Sequence, residues 1–352
     1  MLPLLTLTDE VFAGIVLVVE YTLLPPFGLS FRLDRLSLLM AVSFQLLGGV
    51  AVLCGTVAHG GSSARRFQTA LLFVLASALG MVLAGDLLSM YLFFEAMSLA
   101  FFILVIYRGD NLSVAATMKY LFMTIGGSVL YFAALAAVFV GAGSFAWQEG
   151  GFFPSGPFLW LAFLGFAAAF ALKSAMFPLH FWMADVYANA PLPAVLLSSM
   201  VLLKAGAYGM MRLIHHVFGP EVLGQSGWQP LLLALASFTI LYGSVCAFAQ
   251  RDLLRRLAYS GMAQLGYIYL GIFLFTPAAL TGSIYQMMSH AVFKGLMLLC
   301  AGEILKQTGR RNVEQLTGVG RQLPLTMICF SLSALTVIGL PPGNVFFSAS
   351  GI

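Results

Sequence analysis

Charge is what this chain has least of. Lys, Arg, Asp and Glu make up 9% of its 352 residues and hydrophobic types 61%, whereas soluble domains carry about 25% charged residues. So little polar surface cannot cover a water-soluble protein of this size, and lipid must be its solvent. Backbone groups in hydrocarbon are satisfied only within helices or closed barrels. The apolar runs are continuous rather than alternating over about ten residues, which excludes a barrel. Cysteine is scarce too. Cys54, Cys246, Cys300 and Cys329 lie far apart in apolar stretches, so there is neither a disulfide framework nor a metal knuckle, and small buried hydrophobes is the reading. The start carries Asp9 and Glu10 where a cleaved secretory signal would be basic. Phosphate-binding glycine loops, a haem-attachment motif and a nucleophile elbow are all missing. His215-His216 has no acid or thiol at ligand spacing. Neither a metal nor a cofactor is expected, and the net charge of +4 is read by location along the chain rather than as a sign of nucleic-acid binding.

What is present is a series of segments long enough to cross a bilayer, about 20 residues each. They fall at 11–24 (short), 36–58, 67–85, 87–106, 113–143, 158–178, 192–214, 230–249, 254–275, 278–305 and 323–341. The expected fold class is an all-α polytopic membrane protein of about 11 transmembrane helices, in a cell (inner) membrane. Numbered in order, the even loops hold Arg65, Arg66, Arg108, Arg251, Arg255, Arg256, Lys306, Arg310, Arg311 and Arg321, and the odd ones only Arg32, Arg35 and Arg212. The excess of basic residues places the even loops, and with them the N-terminus, in the cytoplasm. His59 lies in a loop, and Asp34 and Arg35 flank a helix start.

Helix breakers interrupt two of these segments. Phe177-Pro178 and Pro191-Leu192-Pro193 follow Lys173, and Gly339-Leu340-Pro341-Pro342-Gly343 interrupts the eleventh segment. Proline inside a helix removes a backbone bond. If the third to seventh segments form one unit and the eighth onward a second, the breaks fall at matching places, and five helices per unit turn the second copy upside down. Such paired breaks point to an inverted repeat with its site near the bilayer midplane. The expected layout is N-terminal helices in 1–66, a first five-helix ion-translocating repeat in 67–215, and a second, incomplete repeat in 230–352.

Ionisable side chains inside these apolar segments are the candidate site. Glu95, Lys119, Lys173, Lys204 and Lys294 all sit there, and a charge at membrane depth costs several kcal/mol unless paired or wetted. Burial moves a lysine's pKa toward neutrality and a nearby carboxylate moves it back, so an acid–lysine pair can act as a proton switch. Glu95 is about nine residues into its helix. Lys173 stands five residues before the Pro178 break, and Lys204 is in mid-segment. His290 and Lys294 are four apart and share a helix face, and a histidine there can pass a proton near neutral pH. Lys119 is near a helix start and snorkels, so it stays outside the path. His180 either hydrates the kink after Pro178 or packs.

Several ordered stretches resemble a known superfamily. They are Gly85-Asp86-Leu87-Leu88 with Phe94-Glu95; Ala171-Leu172-Lys173 on to Phe177-Pro178-Leu179-His180-Phe181-Trp182 with Asp185 and Ala190-Pro191-Leu192-Pro193; Leu203-Lys204-Ala205-Gly206; Arg255-Arg256-Leu257-Ala258-Tyr259-Ser260 with Gln264-Leu265-Gly266-Tyr267; and His290-Ala291-Val292-Phe293-Lys294-Gly295-Leu296. Together they resemble the antiporter-like subunits of respiratory complex I, membrane-bound hydrogenases and multisubunit (Mrp-type) sodium/proton antiporters. Thr308-Gly309-Arg310-Arg311-Asn312-Val313 with Gly318-Val319-Gly320-Arg321-Gln322-Leu323-Pro324 looks most like the Mrp D-type subunit.

The resemblance implies proton or sodium/proton translocation within a larger complex, with sister membrane subunits as partners and no redox chemistry in this chain. It implies Glu95 as the acid paired with Lys173, Lys204 as the central lysine, and His290 with Lys294 opening the second half. Family members carry a lysine or glutamate after the Gly-Leu-Pro-Pro motif, where Ala349 stands here, and they extend further. The chain therefore reads as truncated, and a non-conducting structural subunit is the alternative. A carrier of the major-facilitator type would want two halves of six helices and a large central loop, which the spacing of the breaks opposes.

Overall fold

A hairpin stands where the first span was expected. The computed structural model describes residues 8–24, 27–58, 62–154, 156 and 158–340. After a short helix at Thr8–Phe12, strand β1 (Leu17–Leu24) pairs antiparallel with β2 (Phe27–Leu33), Leu17 opposite Leu33 and Tyr21 opposite Leu29. The physical cause is local. Val16, Val18 and Val19 are β-branched and prefer extended backbone, Glu20 interrupts the apolar run, and Gly14 turns the chain with φ +91°. The chain between 11 and 24 is also shorter than a bilayer requires.

Ten helices match the other ten expected spans: α1 (Arg35–Ala58), α2 (Ser62–Leu83), α3 (Leu87–Ile106), α4 (Asn111–Ala142), α5 (Phe158–Lys173), α6 (Leu192–Phe218), α7 (Gln229–Ala249), α8 (Leu253–Phe273), α9 (Pro277–Thr308) and α10 (Pro324–Ile338). Seven of the described helices are long and apolar enough to cross a membrane; α5 and α10 are apolar but shorter, and α8 begins with Arg255 and Arg256.

The ion pairs sort by face. Arg32–Asp34, Arg32–Glu149 and Arg212–Asp34 lie at one end of the bundle, here the hairpin face. Arg108–Asp110, Lys119–Asp185, Arg251–Glu314 and Arg255–Asp185 lie at the other. Among the described residues no ion pair joins loops of opposite parity, which supports this sequence of crossings. With the first span gone, residues 8–33 stay on the hairpin face. Among the described residues, the expected grouping with the arginine-rich loops is not seen for 8–33; residues 1–7 lie outside the described residues.

The second unit repeats the first at a constant offset of 166 residues. Asp86 caps α3 by accepting from the Ser89 amide, and Asp252 caps α8 by accepting from the Arg255 amide. Both α4 and α9 are 32 residues long and end on a left-handed glycine, Gly143 (φ +69°) and Gly309 (φ +67°). The Leu87 amide donates to the Phe145 carbonyl at 3.1 Å, and the Leu253 amide to Arg311 at 3.0 Å. Asp86 bridges Ala146 as Asp252 bridges Asn312. The first set lies at the hairpin face and the second at the opposite one, five crossings later, so the repeat is inverted.

Both expected breaks bear on α5 and α10. Helix α5 ends at Lys173, the chain turns through a cis Phe177–Pro178 bond, and a short helix (Met183–Asn189) precedes α6. Helix α10 stops at Gly339, in left-handed conformation. Pro341-Pro342-Gly343, Ala349 and His59 lie outside the described residues.

Candidate ion path

Lys173 ends α5 in a pocket made by α3 and α4. It is 1% exposed. Its Nζ donates to Ser98 Oγ at 2.5 Å and to the Tyr120 hydroxyl at 3.4 Å, and lies over the Phe94 ring at 4.9 Å. A cation over an aromatic face gains about 0.5–2 kcal/mol, and the two hydroxyls supply part of the lost hydration. Glu95, one helical turn before Ser98, is within Coulombic reach of Lys173. The two form no ion pair at 4.0 Å or less, and Glu95 Oε1 is buried without a hydrogen-bond partner. The acid and the lysine are therefore neighbours with the ammonium resting on neutral hydroxyls.

Helix α6 carries Lys204 through the middle of the bundle, buried on all sides. Just before it the helix widens into a π turn at Ser198–Leu202, where the Leu203 amide reaches back to the Ser198 carbonyl. Such turns loosen the backbone ladder, and the Lys204 ammonium donates to the Ser199 carbonyl in that turn. Gly206 lets α5 and α6 approach: a Cβ there would collide with Ser174 Oγ. Ser174, next to Lys173, donates to the Leu203 carbonyl at 3.1 Å and lies 2.8 Å from the Tyr269 hydroxyl on α8. This bridge links the two lysines' neighbourhoods across three helices.

In the second unit, α9 brings Lys294 and His290 inward. Both are buried, and Lys294 Nζ and both His290 ring nitrogens have no hydrogen-bond partner. Lys204, His290 and Lys294 are within Coulombic reach of one another. Four residues before His290, Gln286 Nε2 donates to Gln264 Oε1 at 2.5 Å, and Gln264 Nε2 donates to the Val337 carbonyl near the end of α10. The arrangement can move protons: a row of bases, each buried, with donor and acceptor capacity left over.

The structure thus brings Glu95 and Lys173 together, places Lys204 between the units, and groups Lys204 with His290 and Lys294. His180 stays apart. It is buried among the Phe177, Phe181 and Tyr242 rings, its Nδ1 unpartnered. Lys119 points outward to Asp185 at 2.5 Å, and Asp185 also accepts from Arg255 at 2.9 Å. The sequence gives no role to Ser98, Tyr120, Ser174, Tyr269, Gln264 or Gln286, although Ser174 and Gln264 lie within the stretches that carry the resemblance. Helix spacing from Glu95 marks Ser98, but nothing local marks the others.

A second polar cluster closes the hairpin face. Arg212, 2% exposed, donates to Asp34 at 2.5 Å, to the Tyr208 hydroxyl at 2.8 Å and to His216 at 3.1 Å. Burial alone raises the Asp34 carboxyl's pKa; the Arg212 hydrogen bond and charge, with the Ser37 amide, hold it well below the usual carboxylate range. Asp34 thus does more than flank a helix start. It ties the hairpin to the end of the helix that carries Lys204.

The model of a family described as NADH:quinone oxidoreductase/Mrp antiporter, TM, matches residues 84–352. NADH-quinone oxidoreductase subunit N of Desulforudis audaxviator is 35% identical over 337 residues, 92% of this chain and 66% of that protein. The D-type subunit of the Na(+)/H(+) antiporter of Alkalihalophilus pseudofirmus is 29% identical over 332 residues, again 92% and 66%. The chain therefore spans about two thirds of the length of these relatives, just short of it. A chain of the Mrp complex from a Dietzia species superposes with a TM-score of 0.88 at 26% identity, over 99% of this chain and 67% of that one. The bundle, its inverted repeat and these matches agree: the chain belongs to the NADH:quinone oxidoreductase/Mrp antiporter transmembrane family.

Proposed function

We propose that this chain is a proton-translocating, or sodium/proton-translocating, subunit of a larger membrane complex, and that protons pass along Glu95, Lys173, Lys204, Lys294 and His290. The observation that carries this reading is the row itself. Four buried bases and one acid span both units, and stability alone rarely justifies such burial. On this reading residues 67–215 and 230–352 are the two functional halves, with sister subunits alongside. The arginine-rich loops face the cytoplasm by their basic excess, which puts the N-terminal hairpin on the far side. The relatives named as antiporter and oxidoreductase subunits support proton movement and leave two drivers to separate.

The test uses everted vesicles holding the full native assembly. Collapse of an imposed pH difference on adding sodium, lost in Lys204→Ala, is the result expected of an antiporter. Acidification only on adding an electron donor, also lost in Lys204→Ala, identifies a redox-driven pump. No response under either condition overturns the reading in favour of a structural subunit.

A further inference from the structure

The 166-residue offset aligns the interiors of the two units position by position, and the chemistry at matching positions differs. Ser98 and Tyr120 in the first unit correspond to Gln264 and Gln286 in the second. Each pair is in contact: the Tyr120 hydroxyl donates to the Ser98 carbonyl at 3.4 Å, and Gln286 donates to Gln264 at 2.5 Å. Thr124 and Ser128 correspond to His290 and Lys294. Glu95, the acid, corresponds to Gly261. A Cβ built at Gly261 would lie 3.5 Å from Lys294 Cε, its one neighbour within 4 Å. The lysine's alkyl chain therefore runs past the position where the first unit keeps its carboxylate.

We infer that Gly261 is a positioning residue that keeps the acid position of the second unit vacant, so that Lys294 exchanges its proton with Lys204 and not with a carboxylate. The inference rests on the proton-translocation reading above. Helix α9 meets the π turn of α6 beside Lys294, where a Cβ at Gly295 would collide with Met200 Sδ. The charged or titratable groups within reach of Lys294 are Lys204 from α6 and His290 from its own helix. Among the described residues no acid forms an ion pair with it. Two ammonium groups this deep repel strongly in a low dielectric, so one proton on the pair discourages a second. When the Lys204 N–H bond breaks and the proton reaches the Lys294 amine, one ammonium becomes an amine and one amine an ammonium. Charge is conserved, and neither lysine is held in its charged form by a fixed anion. A carboxylate at position 261 would hold the proton on Lys294.

The experiment compares Gly261→Ala, Gly261→Gln and Gly261→Glu with the parent in everted vesicles of the native assembly, normalised to assembled complex on native gels. The 3.5 Å clearance is ordinary contact, so the Ala variant retains transport. The Gln variant controls for bulk. The Glu variant is expected to transport about tenfold less than Gln near neutral pH, with its pH profile displaced to alkaline values, as an ion pair shifting one lysine by about one pH unit requires. Equal rates for Glu and Gln, or an Ala variant as slow as Glu, overturn the inference. So does a Glu variant that fails to assemble where Gln assembles, because the introduced acid then finds no partner in Lys294. Lys204→Ala is run in parallel: its loss of transport leaves the underlying reading standing whichever way position 261 falls, whereas parental transport in Lys204→Ala removes both.

Discussion

The two units share a scaffold and differ in what it holds. In the first, Lys173 stands at the end of a broken helix, rests on Ser98 and Tyr120, and lies within reach of Glu95. In the second, Lys294 stands on an unbroken 32-residue helix beside a glycine, with no hydrogen-bond partner. Caps, helix lengths and the backbone bridges between loops recur at one offset, while acid, hydroxyl and amide positions have been exchanged. Backbone geometry sets where a buried charge can sit, and a few interior side chains decide whether it is held or released.

The largest effect should come from removing Glu95, the acid whose matching position in the second unit is Gly261. Glu95→Gln is expected to lower transport by about ten- to a hundredfold, since it takes away the one acid within reach of Lys173 among the described residues; initial rates of pH-gradient collapse measure it. A rate within twofold of the parent would show that the acid has no more part in transport than Gly261.

Next in size is the hairpin-face cluster, which ties Asp34, ahead of the first unit, to Arg212 within it. Arg212→Ala removes one charged hydrogen bond from the half-buried Asp34 carboxylate and leaves it Arg32 at 3.2 Å and the Ser37 amide; a bond of that kind is worth about 1.5–3 kcal/mol, and its loss should lower the thermal stability of the assembly. The pH dependence has a definite sign. Because the folded Asp34 pKa is depressed, its contribution is present above the ordinary carboxylate range, near 4, and fades as pH falls below it. Asp34→Asn should therefore flatten the acid side of the stability profile.

Smaller still, Ser98→Ala removes a neutral acceptor from Lys173 and should slow transport by only about three- to tenfold, about the value of one hydrogen bond. The smallest effects should be equal in the two units. Asp86→Ala and Asp252→Ala each lose one helix cap, worth about 1 kcal/mol, and urea titration of the assembly should find the two losses similar. A large inequality would break the claim that the scaffold repeats.

Most of the bundle was legible in the residues. Continuous apolar runs marked ten helices to within a few positions, and Lys173, Lys204 and Lys294 stood out because charge is so rare here. The hairpin was misread because Ile15-Val16-Leu17-Val18-Val19 is as apolar as a span, and hydropathy does not register β-branching. The pairing of Gln264 with Gln286 was hidden because single neutral amides in membrane helices carry no sign of their partners. The offset itself left only the short echo of Asp86-Leu87-Leu88 in Asp252-Leu253-Leu254, too brief to notice without the bridges that each aspartate makes.

The central claim is that one row of buried bases runs from the first unit, where Glu95 neighbours Lys173, into the second, where Gly261 stands at the matching position. The most direct measurement is the relaxation of an imposed pH difference in everted vesicles carrying the native assembly with Lys294→Ala, matched to the parent in assembled complex. The account predicts a rate no higher than vesicles lacking the complex, although Glu95, Lys173 and Lys204 are all intact. Relaxation at the parental rate would contradict it and confine any path to the first unit.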